Sequence, residues 1–361
     1  MKDIRERVER ELETLISIPS YGNNYKEILL YIEDRLKNMG IDCKRQKIED
    51  LGSFNLICGN DTEFIISCHV DTVPPITMKE ATRPRKEGNL IYGRGANDVK
   101  GQIAYTLAAV EEFIKDSKEL PFSIAFVIDE ENNSALGSEV LSSLLNENSK
   151  CLVLEPTSGR ICTSQEGALE FRLIAKGTTA HGAESYKYFN PIKGIMDVVY
   201  HIEDKLSREV SIFKIKGGWD YYVVPDKCEI LAEVKIYRGE DWRVVEEKIK
   251  SVVESYTGEI KYIREDAENF IEFKKGTLYE MLYDSIKEIR GKEPEEGVMA
   301  SWTDASNYHK KGAECVVFGY GDLEVAHTER EHIRVEDLVE GTYLMLNLFK
   351  KTQSLKTSGK I

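Results

Sequence analysis

The sequence predicts an α/β fold in which a mixed, mostly parallel sheet is sandwiched by helices, with a smaller α+β domain inserted into the chain. Short apolar runs such as Glu63–Cys68 and Phe122–Ile128 have the length of buried strands. They alternate with amphipathic segments of helical period, which is typical of parallel sheets covered on both faces. The length of 361 residues also favours two domains over one.

Apolar residues at helical spacing predict helices in the first 40 residues, at about 101–115, at 278–289 and at 335–349. Buried strands are expected at 54–58, 63–68, 122–128, 151–154 and 315–318. The last twelve residues, 350–361, are mostly polar, and we expect them to be frayed.

The middle of the chain has a pattern of its own, in the order βαββαβ. Its strands are expected at 169–175, 210–215, 227–236 and near 260, and its helices at 192–206 and 242–256. Such a set forms one four-stranded sheet with two helices on a face. The sequence therefore predicts a discontinuous domain of residues 1–166 and 275–361, interrupted by a domain of residues 167–274.

Composition excludes several classes of protein. The net charge of −14 argues against nucleic-acid binding, which needs clustered Lys and Arg, and against an anionic membrane surface. No stretch approaches the roughly 20 apolar residues that span a bilayer, and the charged N-terminus has no apolar signal core. The seven cysteines are odd in number and form no CxxC pair. We therefore expect reduced, mostly buried thiols in a cytoplasmic protein.

Metal-binding side chains follow several of the predicted strands, where functional groups of α/β sheets collect. His69 and Asp71 end one strand, Asp98 lies in a glycine-rich loop before a helix, and Glu155 ends another strand. His327 follows a late strand and turn. Each residue alone has an ordinary structural explanation: a strand-end histidine, a helix N-cap, a turn or a loop. Their occurrence together at the ends of successive elements favours a shared metal site.

Three adjacent carboxylates, Asp129, Glu130 and Glu131, follow the strand at 122–128. Such crowding is costly unless a cation neutralises it, although a solvated face is the simpler alternative. Because adjacent side chains of an extended chain point to opposite sides, one glutamate can bind metal while its neighbour faces the substrate.

Six motifs occur in the order HVDTVP, YGRGANDVKG, DEENNSALGSE, LEPT, KGTTAHGA and AHTERE. Together they resemble the co-catalytic zinc family of acetylornithine deacetylase, succinyl-diaminopimelate desuccinylase, aminoacylase and carboxypeptidase G. The resemblance covers nearly the whole chain. It implies a catalytic domain of the zinc exopeptidase type and an inserted lid and dimerisation domain.

The resemblance also implies a set of metal ligands. His69 and Glu155 would bind one ion, Glu131 and His327 the other, and Asp98 would bridge the two. Each ion then has nitrogen and oxygen ligands that suit zinc, and the expected cofactor is two Zn²⁺, with Co²⁺ or Mn²⁺ as alternatives.

Three further roles follow from the resemblance. Glu130 would be the general acid and base, Asp71 would orient His69, and His181 would reach the site of a neighbouring subunit and stabilise the oxyanion. A homodimer through the sheet edge of the inserted domain, and a cis peptide at Asp98–Val99, are therefore expected. The implied reaction is hydrolysis of the amide bond of a small N-acyl amino acid. The alternatives are an exopeptidase or dipeptidase with the same site and, more remotely, a non-catalytic binding protein on this fold.

The sequence departs from the family pattern where the substrate is held. Tyr222 occupies the position of a family asparagine, and Lys235 that of a family arginine, with Arg238 three residues further on. Lysine cannot grip a carboxylate through a planar fork. The glycine-rich segment is also altered around Trp302 and Asp304. These five residues are the candidate substrate contacts, and their departures leave the choice of acyl group and amino acid open.

Overall fold

The computed structural model describes residues 2–61, 63–117, 119–132 and 135–359. Its helices, in chain order, are α1 Lys2–Ser17, α2 Lys26–Asn38, α3 Lys100–Phe113, α4 Leu136–Ser142, α5 Pro191–Leu206, α6 Trp242–Ser255, α7 Thr277–Arg290, α8 Ala305–His309 and α9 Val335–Thr357. Short 3-10 turns lie at Glu49–Leu51, Gly182–Lys187 and Leu323–Val325.

The first nine strands are β1 Cys43–Ile48, β2 Ser53–Cys58, β3 Phe64–His69, β4 Arg85–Glu87, β5 Leu90–Tyr92, β6 Ser123–Val127, β7 Lys150–Val153, β8 Ile161–Gln165 and β9 Gly167–Lys176. The remaining strands are β10 Ala180–His181, β11 Ser211–Gly217, β12 Val223–Val224, β13 Lys227–Ile236, β14 Glu259–Glu268, β15 Ile271–Glu272, β16 Glu296–Met299, β17 Glu314–Val317 and β18 His332–Arg334.

The chain divides into two units. The main unit comprises Met1–Ser164, Glu272–Met299 and Thr303–Ile361, and the inserted unit comprises Gln165–Ile271 and Ala300–Trp302. Each unit has its own cluster of buried apolar side chains.

The large sheet has the strand order β1-β2-β6-β3-β7-β17-β8-β15, with β16 paired to β8. Its centre, β6-β3-β7-β17, is parallel, whereas β1 and β2 extend it as antiparallel strands. Strands β3 and β6 are buried along their whole length, as expected where helices cover both faces. The predicted mixed, mostly parallel sheet between helices is confirmed. Since parallel strands share one direction, the carboxyl ends of β3, β6 and β7 meet at one edge.

Helix α3 begins at Lys100, two residues after Asp98, and is buried on nearly all sides. The packing of this helix therefore holds the chain in place directly after Asp98. It packs against α9 at a close approach: a Cβ on Gly341 would lie 2.5 Å from Cδ1 of the Tyr105 ring. A small three-stranded sheet, β18-β5-β4, was not predicted and carries the residues that precede Gly93.

The inserted unit contains the predicted four-stranded sheet with two helices, in the order β11-β13-β9-β14 and antiparallel throughout. Buried and half-exposed residues alternate along β9 and β13, so that one face packs under α5 and α6. The short pair β10-β12 is an addition that the sequence pattern did not predict.

Two expectations are wrong. Residues 350–357 are not frayed, because α9 continues to Thr357 with Thr352 buried and Lys356 donating to the carbonyl of Pro121 at 2.9 Å. The cysteines are not all reduced, because Cys43 and Cys58 face each other on β1 and β2 and form a disulfide. The other five cysteines are free and buried. No helix in the described part of the chain combines the length and apolar character that a bilayer crossing requires.

Candidate metal centre

His69, the last residue of β3, is buried with both ring nitrogens engaged. Nδ1 lies 3.0 Å from the backbone carbonyl oxygen of Asp71, which can only accept a hydrogen bond. Nε2 lies 3.1 Å from Oδ1 of Asp98 and 3.9 Å from Oε2 of Glu155. The carbonyl therefore fixes the orientation of the ring, and Nε2 points at two carboxylates.

Asp71 contacts both halves of the site. Its backbone carbonyl, rather than its carboxylate, is the close partner of His69, since Oδ1 is 3.9 Å from Nδ1. Its Oδ2 instead accepts the backbone N–H of Glu131 at 2.9 Å. Burial raises the pKa of Asp71 to about 7, opposed by the charge of His69.

Asp98 lies between the two histidines. Oδ1 faces His69, and Oδ2 is 3.4 Å from Nε2 of His327. The Asp98–Val99 peptide is cis, as the resemblance implied. We call His69, Asp98 and Glu155 the inner group and Asp98, Glu131 and His327 the outer group; within each, the potential ligand atoms lie within 4.8 Å of one another.

The outer group is built from loops. Glu131 follows β6 through a turn in which Asp129 has a positive φ of 73°, and His327, with φ 62°, lies after β17. Nε2 of His327 lies 3.1 Å from the Glu131 carboxylate, and its side chain is 47% exposed. The inner group, by contrast, is entirely buried. The site thus has a closed half on strand ends and a half that opens to solvent.

The pKa values of the side chains in the site are shifted in opposite directions. Burial raises the pKa of Glu155 well above its usual range, with Asp98 adding repulsion and His69 opposing it. Burial also raises the pKa of Asp98, but hydrogen bonds from His327 and His69 outweigh it and hold that pKa below its usual value. For His327, burial lowers the pKa, and its bonds to Asp98 and Glu131 raise it to about 10.

These side chains fit two divalent cations. Each group offers one imidazole and two carboxylates, with Asp98 common to both, which is a donor set that suits zinc, manganese or cobalt. Oε1 of Glu155 is buried and has no hydrogen-bond partner among the described residues. Cations at these two positions would neutralise the clustered carboxylates and so remove the cost of burying their charges.

Glu130 and Asp304 lie near the inner group without belonging to it. Burial raises the pKa of Glu130 well above its usual range; the charge of His69 opposes this and Glu155 adds to it. Asp304 is buried at the start of α8, where burial raises its pKa to about 6 and the nearby Ser138 side chain opposes the shift.

The remaining predicted site residues belong to the inserted unit. His181 is exposed and accepts the N–H of Ala183 at Nδ1, and its strand pairs with β12, beside the 95% exposed Tyr222. The side chain of Lys235 forms an ion pair with Glu233 at 2.8 Å, and Arg238 lies over the Phe270 ring at 5.1 Å. Trp302 is half-buried.

Sequence reasoning missed three buried residues that contact the ligand loops: Arg94, Asn97 and Glu331. All three lie inside motifs that carried the resemblance, YGRGANDVKG and AHTERE. The available signal was one arginine and one glutamate inside motifs that carry candidate metal ligands. If both side chains are buried beside the site, each needs a partner of opposite charge.

Comparisons with known proteins show which family and fold this chain resembles. Residues 65–351 match the model of peptidase family M20/M25/M40. A succinyl-diaminopimelate desuccinylase of Pelagibacter ubique is 24% identical, over 93% of this chain and 96% of that protein. Among solved structures, a tripeptidase of Staphylococcus aureus covers 97% of this chain and 99% of its own, with a TM-score of 0.80 and 19% identity. A Bacillus subtilis protein described as a dinuclear metal-binding peptidase covers 98% and 99%, with a TM-score of 0.68 and 15% identity. The chain therefore belongs to peptidase family M20/M25/M40, and it is a hydrolytic enzyme of this metal-dependent family.

Proposed function

We propose that this enzyme hydrolyses the amide bond of a small N-acyl amino acid at a centre of two divalent cations, zinc in the native form. His69 and Glu155 hold one cation, Glu131 and His327 hold the other, and Asp98 is shared. The observation that carries the proposal is the convergence of these five side chains into two groups with one common carboxylate.

The cations, when bound, supply Lewis acidity that polarises the scissile carbonyl and acidifies water. Glu130 accepts the proton of the attacking water and delivers it to the leaving amine. Its position near the inner group, and a pKa that burial raises well above its usual range, suit a carboxyl that both takes up and releases a proton. Asp71 holds His69 through its carbonyl and the Glu131 backbone through its carboxylate.

An exopeptidase acting on short peptides is the second candidate, because one structural neighbour is a tripeptidase while one sequence relative is a desuccinylase. The two candidates differ in what stands on the acyl side of the bond: an acyl group without charge or with a carboxylate, or a free α-amine. Lys235, Arg238, Tyr222, Trp302 and Asp304 are the proposed substrate contacts, with Lys235 or Arg238 as the partner of the substrate carboxylate.

A homodimer through the inserted unit is part of the proposal. Strand β11 is the outer strand of its sheet and is exposed along its length, with Phe213 59% and Ile215 53% exposed. An unpaired edge that presents apolar side chains is a template for pairing with another chain. We propose that a second copy pairs there and that His181 acts in the partner's site.

The test has two arms. The metal-loaded enzyme is assayed on a panel of N-acetyl, N-succinyl and aminoacyl amino acids, and the preferred class decides between deacylase and exopeptidase. Glu130→Gln is then compared with Glu139→Gln, an exposed carboxylate on α4. We expect kcat to fall by about 10²–10⁴-fold in Glu130→Gln with two metal ions still bound, and to be unchanged in the control. Near-normal turnover of Glu130→Gln would refute its role as general base.

A further inference from the structure

A buried ion pair joins the loops that carry Asp98 and His327. Arg94 and Glu331 are 2% and 0% exposed in their side chains, and Nη1 of Arg94 donates to Oε2 of Glu331 at 2.5 Å. Burying two charges costs as much as or more than their attraction returns, so stability alone is a poor explanation for such a pair. Its surroundings indicate another role.

Glu331 holds the backbone from which the shared ligand projects. Its Oε1 accepts the N–H groups of Asn97 and Asp98, each at 3.2 Å, while Oε2 accepts from Arg94. Both oxygens are thereby engaged, and neither group of candidate metal ligands includes Glu331. The side chain fixes the main chain of Asp98 and leaves its carboxylate directed at the two histidines.

Arg94 extends the connection to the second loop. Its Nη2 donates to the carbonyl of His327 at 3.4 Å and to that of Pro75 at 3.2 Å. Asn97 adds a reciprocal pair, donating from Nδ2 to the carbonyl of Asp322 at 2.9 Å and accepting the N–H of Asp322 at 2.8 Å. The segments 94–98 and 322–331 are therefore tied together by side-chain to backbone bonds on both sides of the ligand pair.

We propose that Arg94 and Glu331 are positioning residues that set the placement of Asp98 relative to His327, and thereby the affinity of the outer group for its cation. This inference rests on the proposed two-cation function. The inner group depends less on the pair, because His69 and Glu155 are placed by the ends of β3 and β7.

The experiment titrates metal-free full-length protein with Co²⁺, following the visible d–d absorption and the calorimetric stoichiometry. Glu331→Gln keeps an oxygen for the two N–H groups but presents an NH₂ group to Arg94. We expect the first equivalent to bind within about 3-fold of wild type and the second about 10–100-fold more weakly, with the second increment of the spectrum altered. Arg94→Lys keeps the charge but not the fork, so we expect a smaller loss in the same equivalent.

Glu314→Gln is the matched control. Glu314 is also a buried carboxylate of the main unit, and it accepts the backbone N–H of Tyr279 at 3.0 Å. The Glu314→Gln variant should have a lower unfolding temperature than wild type, and it should bind both equivalents of Co²⁺ as wild type does. If Glu331→Gln binds both equivalents like wild type, or loses both equally, the inference is overturned while the proposed function stands. Should that variant not fold, Arg94→Lys decides by the same criterion. A wild-type protein that takes up no Co²⁺ overturns both proposals.

Discussion

Removing the metal should lower the unfolding temperature of the enzyme by about 10–20 °C, and the structure gives the size of this shift. The proposed function assigns one cation to each of the two groups of candidate ligands. Each cation at a free concentration of about 100 times its Kd stabilises the folded state by about 2.7 kcal/mol, so two contribute about 5 kcal/mol. In a folded unit of this size each kcal/mol shifts the unfolding temperature by about 2–4 °C.

The physical source of the shift is the crowding of carboxylates at the site. The ion-pair partners of Asp98, Glu131 and Glu155 are the two histidines of the same groups. Cations bound there neutralise the carboxylates in the folded state, whereas the unfolded chain brings these residues together at no fixed distance. The binding free energy therefore adds to the free energy of unfolding.

The assay is differential scanning calorimetry of protein with buffered free Zn²⁺ and of protein dialysed against a chelator, with metal content measured on both samples. Asp98→Asn is the control, because it weakens both groups at once; its two samples should differ by less than about 3 °C. A wild-type protein stripped of metal that unfolds at an unchanged temperature would show that these side chains do not form the centre.

Three other changes test an ion pair of the main unit, the proposed dimer edge and the end of α9. Hydrogen bonds from Arg45 lower the pKa of Glu33 below its ordinary 4.5, so this contact stabilises the protein above about pH 4.5 and loses its effect as the pH falls through the lowered pKa. Arg45→Met should therefore cost about 0.5–1 kcal/mol in urea unfolding at pH 7, and this cost should shrink as the pH falls below 4.5. Phe213→Asp should convert the proposed dimer to a monomer in analytical ultracentrifugation, and an unchanged mass would rule out this edge. Deleting the chain after Phe349 should lower the free energy of unfolding by about 1–3 kcal/mol, because it removes the buried Thr352. A free energy of unfolding unchanged within error would support the original expectation that this segment is frayed.

The sequence contained enough to place the inner group. His69 and Glu155 directly follow or end apolar runs that form buried strands, and parallel strands bring their carboxyl ends to one edge whatever the details of packing. The order βαββαβ of the inserted unit was equally visible, because its strands alternate in burial and its helices have a clear apolar face.

Contacts between residues far apart in the chain could not be predicted from the sequence in the same way. Arg94 and Glu331 are 237 positions apart, and nothing in either segment says which residue of opposite charge each will meet. Cys43 and Cys58 pair only because β1 and β2 adopt a register that places them opposite each other. The end of α9 has a polar sequence, and Lys356 is anchored by Asp61 and a carbonyl that no local pattern reveals.

The inner and outer groups differ in whether local structure or long-range contacts place their side chains. A candidate ligand at the end of a buried strand, such as His69, is positioned by the sheet, and the Asp71 carbonyl sets the orientation of its ring. A candidate ligand in a loop, such as His327, is not placed by a strand end; it is half-exposed and adopts a positive φ. Arg94 donates a hydrogen bond to its backbone carbonyl. If Arg94 and Glu331 position the outer group as proposed, the residues that the sequence did not identify act where the geometry of the candidate ligands does not come from the sheet.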